Sequence, residues 1–102
     1  VSKTTGYIAV VHKDNGTSYG VSFPDVPGCI SAGDTFEEAV DNASVALAGH
    51  LAIMAADGDP IPDAHSLEEL KQDAGFVEDS IDAVIAFVVP QADQVTTLQS
   101  AL

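Results

Sequence analysis

The strongest constraint on the fold is one long helical signal that opens at Thr35. Thr35 and Glu38 have capping-box spacing: the hydroxyl can accept from the Glu38 backbone N–H while the Glu38 carboxylate reaches back to the Thr35 amide. Phe36, Val40, Ala43, Leu47, Leu51 and Met54 then recur at three- and four-residue intervals down one face. Glu37, Glu38 and Asp41 sit on the other, near the positive end of the helix dipole. From residue 45 to residue 56 no charge appears. The helix therefore begins amphipathic and ends apolar nearly all round, which leaves two readings. Either its second half is covered on several sides, by the fold or by another chain, or Ala46, Ala48, Ala52, Ala55 and Ala56 simply tolerate exposure.

Ahead of the helix lies β structure. Residues 5–12 form a β-rich run containing Tyr7, Ile8, Val10 and Val11. Asp14-Asn15-Gly16 supplies residues that tolerate positive φ, and residues 18–23 mix aromatic and β-branched side chains, so a hairpin is predicted. Pro24 and Pro27 bracket Asp25 and Val26, with Gly28 directly after. Each proline removes a backbone donor and fixes φ, so the ladder breaks there. Cys29-Ile30-Ser31 is long enough for a short third strand, completing an antiparallel meander.

After the helix, Asp57-Gly58-Asp59-Pro60-Ile61-Pro62 reads as a loop. Ser66 with Glu69 offers a second capping box for a short helix over residues 67–74, stopped by Gly75. Residues 81–89 form a near-continuous apolar run that Pro90 ends. This suits an interior strand beside the first, and the intervening helix makes a parallel pairing plausible. Beyond it, residues 91–102 fit either a short terminal helix or a frayed tail. The chain divides into one domain over residues 1–90 and that tail, with no DNA-binding module visible.

The charge is lopsided. The 102 residues carry 16 acids against 3 Lys, a formal net charge of −13. Lys3 and Lys13 balance Asp14 and Asp25, so the first 33 residues are neutral and the whole excess lies from Asp34 onward. Phosphate affinity comes largely from Lys and Arg displacing counterions, so direct RNA or DNA binding is disfavoured and a basic protein is the favoured partner. The single cysteine, Cys29, excludes an intramolecular disulfide and fits a reducing cytoplasm.

No catalytic constellation emerges. His12, His50 and His65 lack the short paired spacings of a zinc site, and Cys29 has no second thiol nearby. A lone cysteine in a short strand is more often a small hydrophobe than a nucleophile. Asp57, Asp59 and Asp63 could hold a cation weakly, but two prolines interrupt them and solvated loop acids are the simpler reading. No cofactor or metal is expected.

With these elements in place, the chain resembles the HicB antitoxin family. Two segments carry the resemblance: Phe23-Pro24-Asp25-Val26-Pro27-Gly28-Cys29, and Gly33-Asp34-Thr35-Phe36-Glu37-Glu38-Ala39-Val40-Asp41-Asn42-Ala43. Pro60-Ile61-Pro62 matches a third family pattern in part. The resemblance implies an α+β, partial ribonuclease H-like β-β-β-α-(α)-β core. In it the meander is joined by a last strand parallel to the first, and the long helix packs on one face. It also implies a non-enzymatic antitoxin that covers the active surface of a small, basic, mRNA-cleaving HicA-like toxin, and that is a dimer or higher. A stand-alone regulatory or adaptor oligomerisation domain without a toxin is the alternative. Pro24, Pro27, Gly28, Thr35, Ala39 and Ala43 are expected to shape the backbone and the helix packing. Exposed acids around the strand break and the first helical turn, Asp25, Glu37, Glu38 and Asp41, are the candidate partner contacts.

Overall fold

A computed structural model describes residues 6–13 and 18–91; the predicted Asp14–Gly16 turn and residues 92–102 lie outside that range. Three strands, β1 (Tyr7–Lys13), β2 (Tyr19–Ser22) and β3 (Ile30–Gly33), precede the helix α1 (Phe36–Ala56). Two short helices, α2 (Leu67–Leu70) and α3 (Ala74–Asp79), then lead to β4 (Val84–Val88). The sheet order is β3-β2-β1-β4 and every neighbouring pair is antiparallel.

Alternation along β1 divides the core in two. Tyr7, Ala9 and Val11 point to one face, where they meet Val21, Phe23, Val26, Cys29 and Val88 under Ala39, Ala43 and Leu47 of α1. Ile8 and Val10 point to the other, where Leu67, Leu70 and Phe76 close over them together with Ala83 and Ile85. By length and composition α1 would also suit a membrane span. Here its inner side is instead committed to the sheet, with Ala39, Ala43 and Leu47 fully buried.

The strand break works as two successive tight turns. Val26 N–H donates to the Phe23 carbonyl and Cys29 N–H to the Val26 carbonyl, both at 3.1 Å. Every third residue (Phe23, Val26, Cys29) is thereby turned into the core. Gly28 sits at φ +91°, a conformation that favours glycine.

Three expectations are corrected. First, β4 runs antiparallel to β1: Tyr7 pairs with Val88 and Val11 with Val84. A single helical crossover would have returned the chain for parallel pairing, but it makes a second traverse, across the opposite face. Tyr7 Oη donates to the Pro62 carbonyl near the start of β1, at 2.7 Å, and His12 Nε2 donates to the Asp79 carbonyl near its end, at 2.6 Å. Segment 62–79 has therefore walked the length of β1, and β4 must run back.

Second, β4 is an edge strand and is shorter than the apolar run. Ile81, Val84, Phe87 and Val89 are all substantially exposed. Third, Gly75 does not stop a helix. Asp73 Oδ2 accepts from Phe76 N–H at 2.8 Å, starting a new helix in which Gly75 is an early residue.

Candidate functional site

The reactive side chains do not converge. Cys29 is buried in the core, and burial pushes its thiol pKa up, away from the thiolate a nucleophile needs. His12 is engaged with the Asp79 carbonyl. Asp57, Asp59 and Asp63 are exposed in the loop after α1. Among the described residues no group of three or more His, Cys, Asp or Glu is placed to hold a metal ion.

The structure separates the four candidate contact acids. α1 starts beside the end of β3 and runs toward the start of β1, and the strand break lies at that far end. Glu37, Glu38 and Asp41 therefore lie at one end of the sheet and Asp25 at the other. Glu38 is further occupied: its Oε1 accepts from the Asp34 backbone N–H at 2.7 Å, one residue earlier than the capping-box pattern implied, while Thr35 Oγ1 accepts from Glu38 N–H at 3.0 Å. Glu37 and Asp41 are exposed.

Asp25 is not an exposed acid. Its side chain is only 8% accessible, and its two oxygens accept from the backbone N–H and the ring Nδ1 of His65, each at 2.7 Å. That hydrogen bond, and then the charge of Asp25, raise the His65 pKa above the ordinary histidine value. Desolvation opposes the shift, and Glu69 and Asp63 add still smaller pulls upward. Ser66, the next residue, forms a complete capping box with Glu69, so Asp25 anchors the chain immediately before α2. Tyr7 Oη holds the same loop through Pro62. Its pKa is raised first by burial and then by Asp25 and Asp63, which keeps the donating phenol protonated. A cleft of about 320 Å³ lies here, lined by Pro24, Asp25, His65, Glu69, Leu70 and Asp73.

The residues assigned to backbone and packing roles are distributed along one route. Pro24, Pro27 and Gly28 lie in the double turn, Thr35 caps α1, and Ala39 and Ala43 are fully buried against the sheet. Gly33, named from sequence only as the start of the second family-like segment, proves to be a point of close approach between helix and sheet: a Cβ there would stand 2.4 Å from the Ala39 backbone nitrogen.

Sequence reasoning missed a second surface. Among the described residues α2 and α3 cover only the β1–β4 half of their face, and no helix lies over the same face of β2 and β3. A shallow groove of about 380 Å³ runs along it, with His12, Gly20, Ser22, Ile30 and Ala32 among its walls. The alternation of Gly20 and Ser22 with the buried Val21 was the available signal; what hid it was the unknown position of the later helices.

Comparison with known proteins follows the same outline. The family model described as HicB_like antitoxin of bacterial toxin-antitoxin system matches residues 7–98. An uncharacterized 14.9 kDa protein in the rep-hol intergenic region of Haemophilus phage HP1 is 33% identical over 87 residues, covering 82% of this chain and 65% of that protein. The chain thus spans just under two thirds of that relative's length. The N-terminal domain of Burkholderia pseudomallei antitoxin HicB superposes with a TM-score of 0.68 at 32% identity, covering 86% of this chain and 98% of that one. A chain of the HicA3 and HicB3 toxin-antitoxin complex superposes with a TM-score of 0.65 at 27% identity, covering 86% and 98%.

Proposed function

The chain belongs to the HicB-like antitoxin family of bacterial toxin-antitoxin systems, and from that premise we propose that it binds a small basic HicA-like toxin and occludes the surface with which that toxin cleaves mRNA. The observation that carries the reading is the family match over residues 7–98. The likeness to a chain from a HicA3–HicB3 complex supports the class of partner. The charge adds a physical reason: a body of net charge −13 attracts and steers a basic protein while repelling the RNA that protein would cut. In this role the chain acts by binding rather than by catalysis, in the cytoplasm, as a homo-oligomer.

Co-expression tests the proposal. The gene for a HicA-type protein lying beside the gene for this chain is induced with and without it. Growth arrest by the toxin alone, growth restored by the chain, and recovery of the two as one complex are the expected results. Continued arrest while the chain accumulates in soluble form would overturn the reading.

A further inference from the structure

We propose that the bare β2–β3 face is where the basic protein partner docks, its apolar tip entering the groove and its cations meeting the acids along the border. The inference rests on the reading of the chain as a toxin-binding protein and adds to it a surface. Helices cover much of the rest of the sheet: α1 buries Val11, Val21 and Val88 on one side and α2 with α3 covers Val10 on the other, while Val84 and Phe87 stay exposed on the β4 edge. Among the described residues, no helix lies over β2 and β3 on that second side.

The floor of this face is built for close approach. Gly20, Ser22 and Ala32 are small, so a partner's backbone or side chain can reach the strands. Ile30, at 73% exposure the most exposed large hydrophobic side chain among the described residues, stands at the groove edge as an apolar anchor without a mate. Neither strand contributes a charged side chain here.

The border is acidic. At one end the His12–Asp79 hydrogen bond draws the end of α3 against the groove, bringing Glu78 and Asp79, both exposed. At the other end, beyond Ser22, lies the cleft where Glu69 and Asp73 are exposed, Asp25 there being committed to His65. A neutral floor inside an acidic rim suits a partner that presents an apolar contact surrounded by Lys and Arg. Its cations pair at the solvated rim, and no charge has to be buried without a mate. A second copy of this chain would instead set one acidic rim against another.

The test measures affinity and association rate of the full chain for the HicA-type protein encoded beside it. Ile30→Lys and Ala32→Lys lie on an exposed edge strand, and retained melting temperature shows that each folds. Each is expected to weaken binding by about tenfold or more. The Glu78→Gln/Asp79→Asn double variant is expected to slow association about two- to five-fold at low salt and little at high salt. Asp59→Lys, in the loop after α1, controls for loss of net negative charge and is expected to change affinity less than about twofold.

Unchanged affinity in the folded Ile30→Lys and Ala32→Lys variants, with the wild type still binding, would overturn the surface and leave the antitoxin reading standing. Loss confined to Glu37→Gln/Asp41→Asn would move the docking site to the first turn of α1. Sedimentation showing that Ile30→Lys abolishes self-association without altering toxin affinity would assign the face to a second copy. No binding by the wild type would overturn both proposals.

Discussion

The carboxylate of Asp25 receives both the backbone N–H and the ring Nδ1 of His65, each at 2.7 Å, across 40 residues of chain. The contact ties the strand break to the start of α2 and so helps set the second traverse that reverses β4. It also makes one part of the fold sensitive to pH. The His65 pKa is raised in the folded state, so its contribution is fully present below the unfolded value of about 6.5 and fades as pH rises through the higher folded value. The melting-temperature gap between wild type and His65→Ala should therefore be largest in mildly acidic buffer and narrow toward pH 8. A gap that widens with pH would show that the ring acts in another way. Asp25→Asn, which also weakens acceptance from the backbone N–H, should destabilise the chain across the whole range.

The N-terminus of α1 offers a prediction about which capping partner matters. Thr35 Oγ1 satisfies the Glu38 amide inside the helix, whereas the Glu38 carboxylate satisfies the Asp34 amide outside it. Thr35→Ala should cost about 0.5–2 kcal/mol by denaturant unfolding, in the usual range for loss of an N-cap. Glu38→Gln keeps an acceptor for the Asp34 amide and loses only a favourable charge near the helix dipole, so its cost should be smaller, about 0.3–1 kcal/mol.

The two sides of α1 should respond very differently to truncation. Leu47 is fully buried among the residues that join helix and sheet, while Ile53, six residues on and on another side of the helix, is 64% exposed. Leu47→Ala should destabilise by about 2–5 kcal/mol, through lost transfer free energy and the cavity left behind. Ile53→Ala should stay within about 0.5 kcal/mol of wild type in the isolated chain. If both costs are large under conditions where the chain self-associates, and only the Ile53→Ala cost falls on dilution, a second copy covers the apolar end of the helix.

These contrasts show which features were legible in sequence. α1 was, because capping and three-to-four spacing are local signals that its packing did not override; Ala43 and Leu47 are inside, as that spacing required. The hairpin strands and the break in the ladder at Pro24–Gly28 were legible for the same reason, though the double turn that makes the break was not. The direction of β4 was not, because it depends on where Leu70 and Phe76 land, and two short helices give too few periodic positions to name the face they cover. Nor was the fate of Asp25. Its neighbours in sequence suggested a shared acidic edge with Glu37 and Asp41, but the chain runs the length of β3 between them, and its actual partner, His65, lies 40 positions away. The open β2–β3 face was hidden likewise, since a bare surface is defined by elements that come later.

Gly33 supplies the most demanding check on the helix–sheet contact. A Cβ at this position would lie 2.4 Å from Ala39 N, 2.7 Å from Ala39 Cα and 2.8 Å from the Glu38 carbonyl carbon, all of them backbone atoms of the first turn of α1. No rotamer change relieves such a clash; the helix itself must lift from β3, and Ala39, fully buried, would lose its seat. Gly33→Ala should therefore destabilise by about 1–3 kcal/mol or more, as overpacking does, despite adding only a methyl group to a strand where alanine is otherwise tolerated. Gly49→Ala, on the exposed side of the same helix with nothing within 4 Å of the added carbon, should instead be neutral or stabilising by up to about 1 kcal/mol. Equal and small effects at both positions, measured by denaturant unfolding, would mean that α1 does not sit on β3 at this distance.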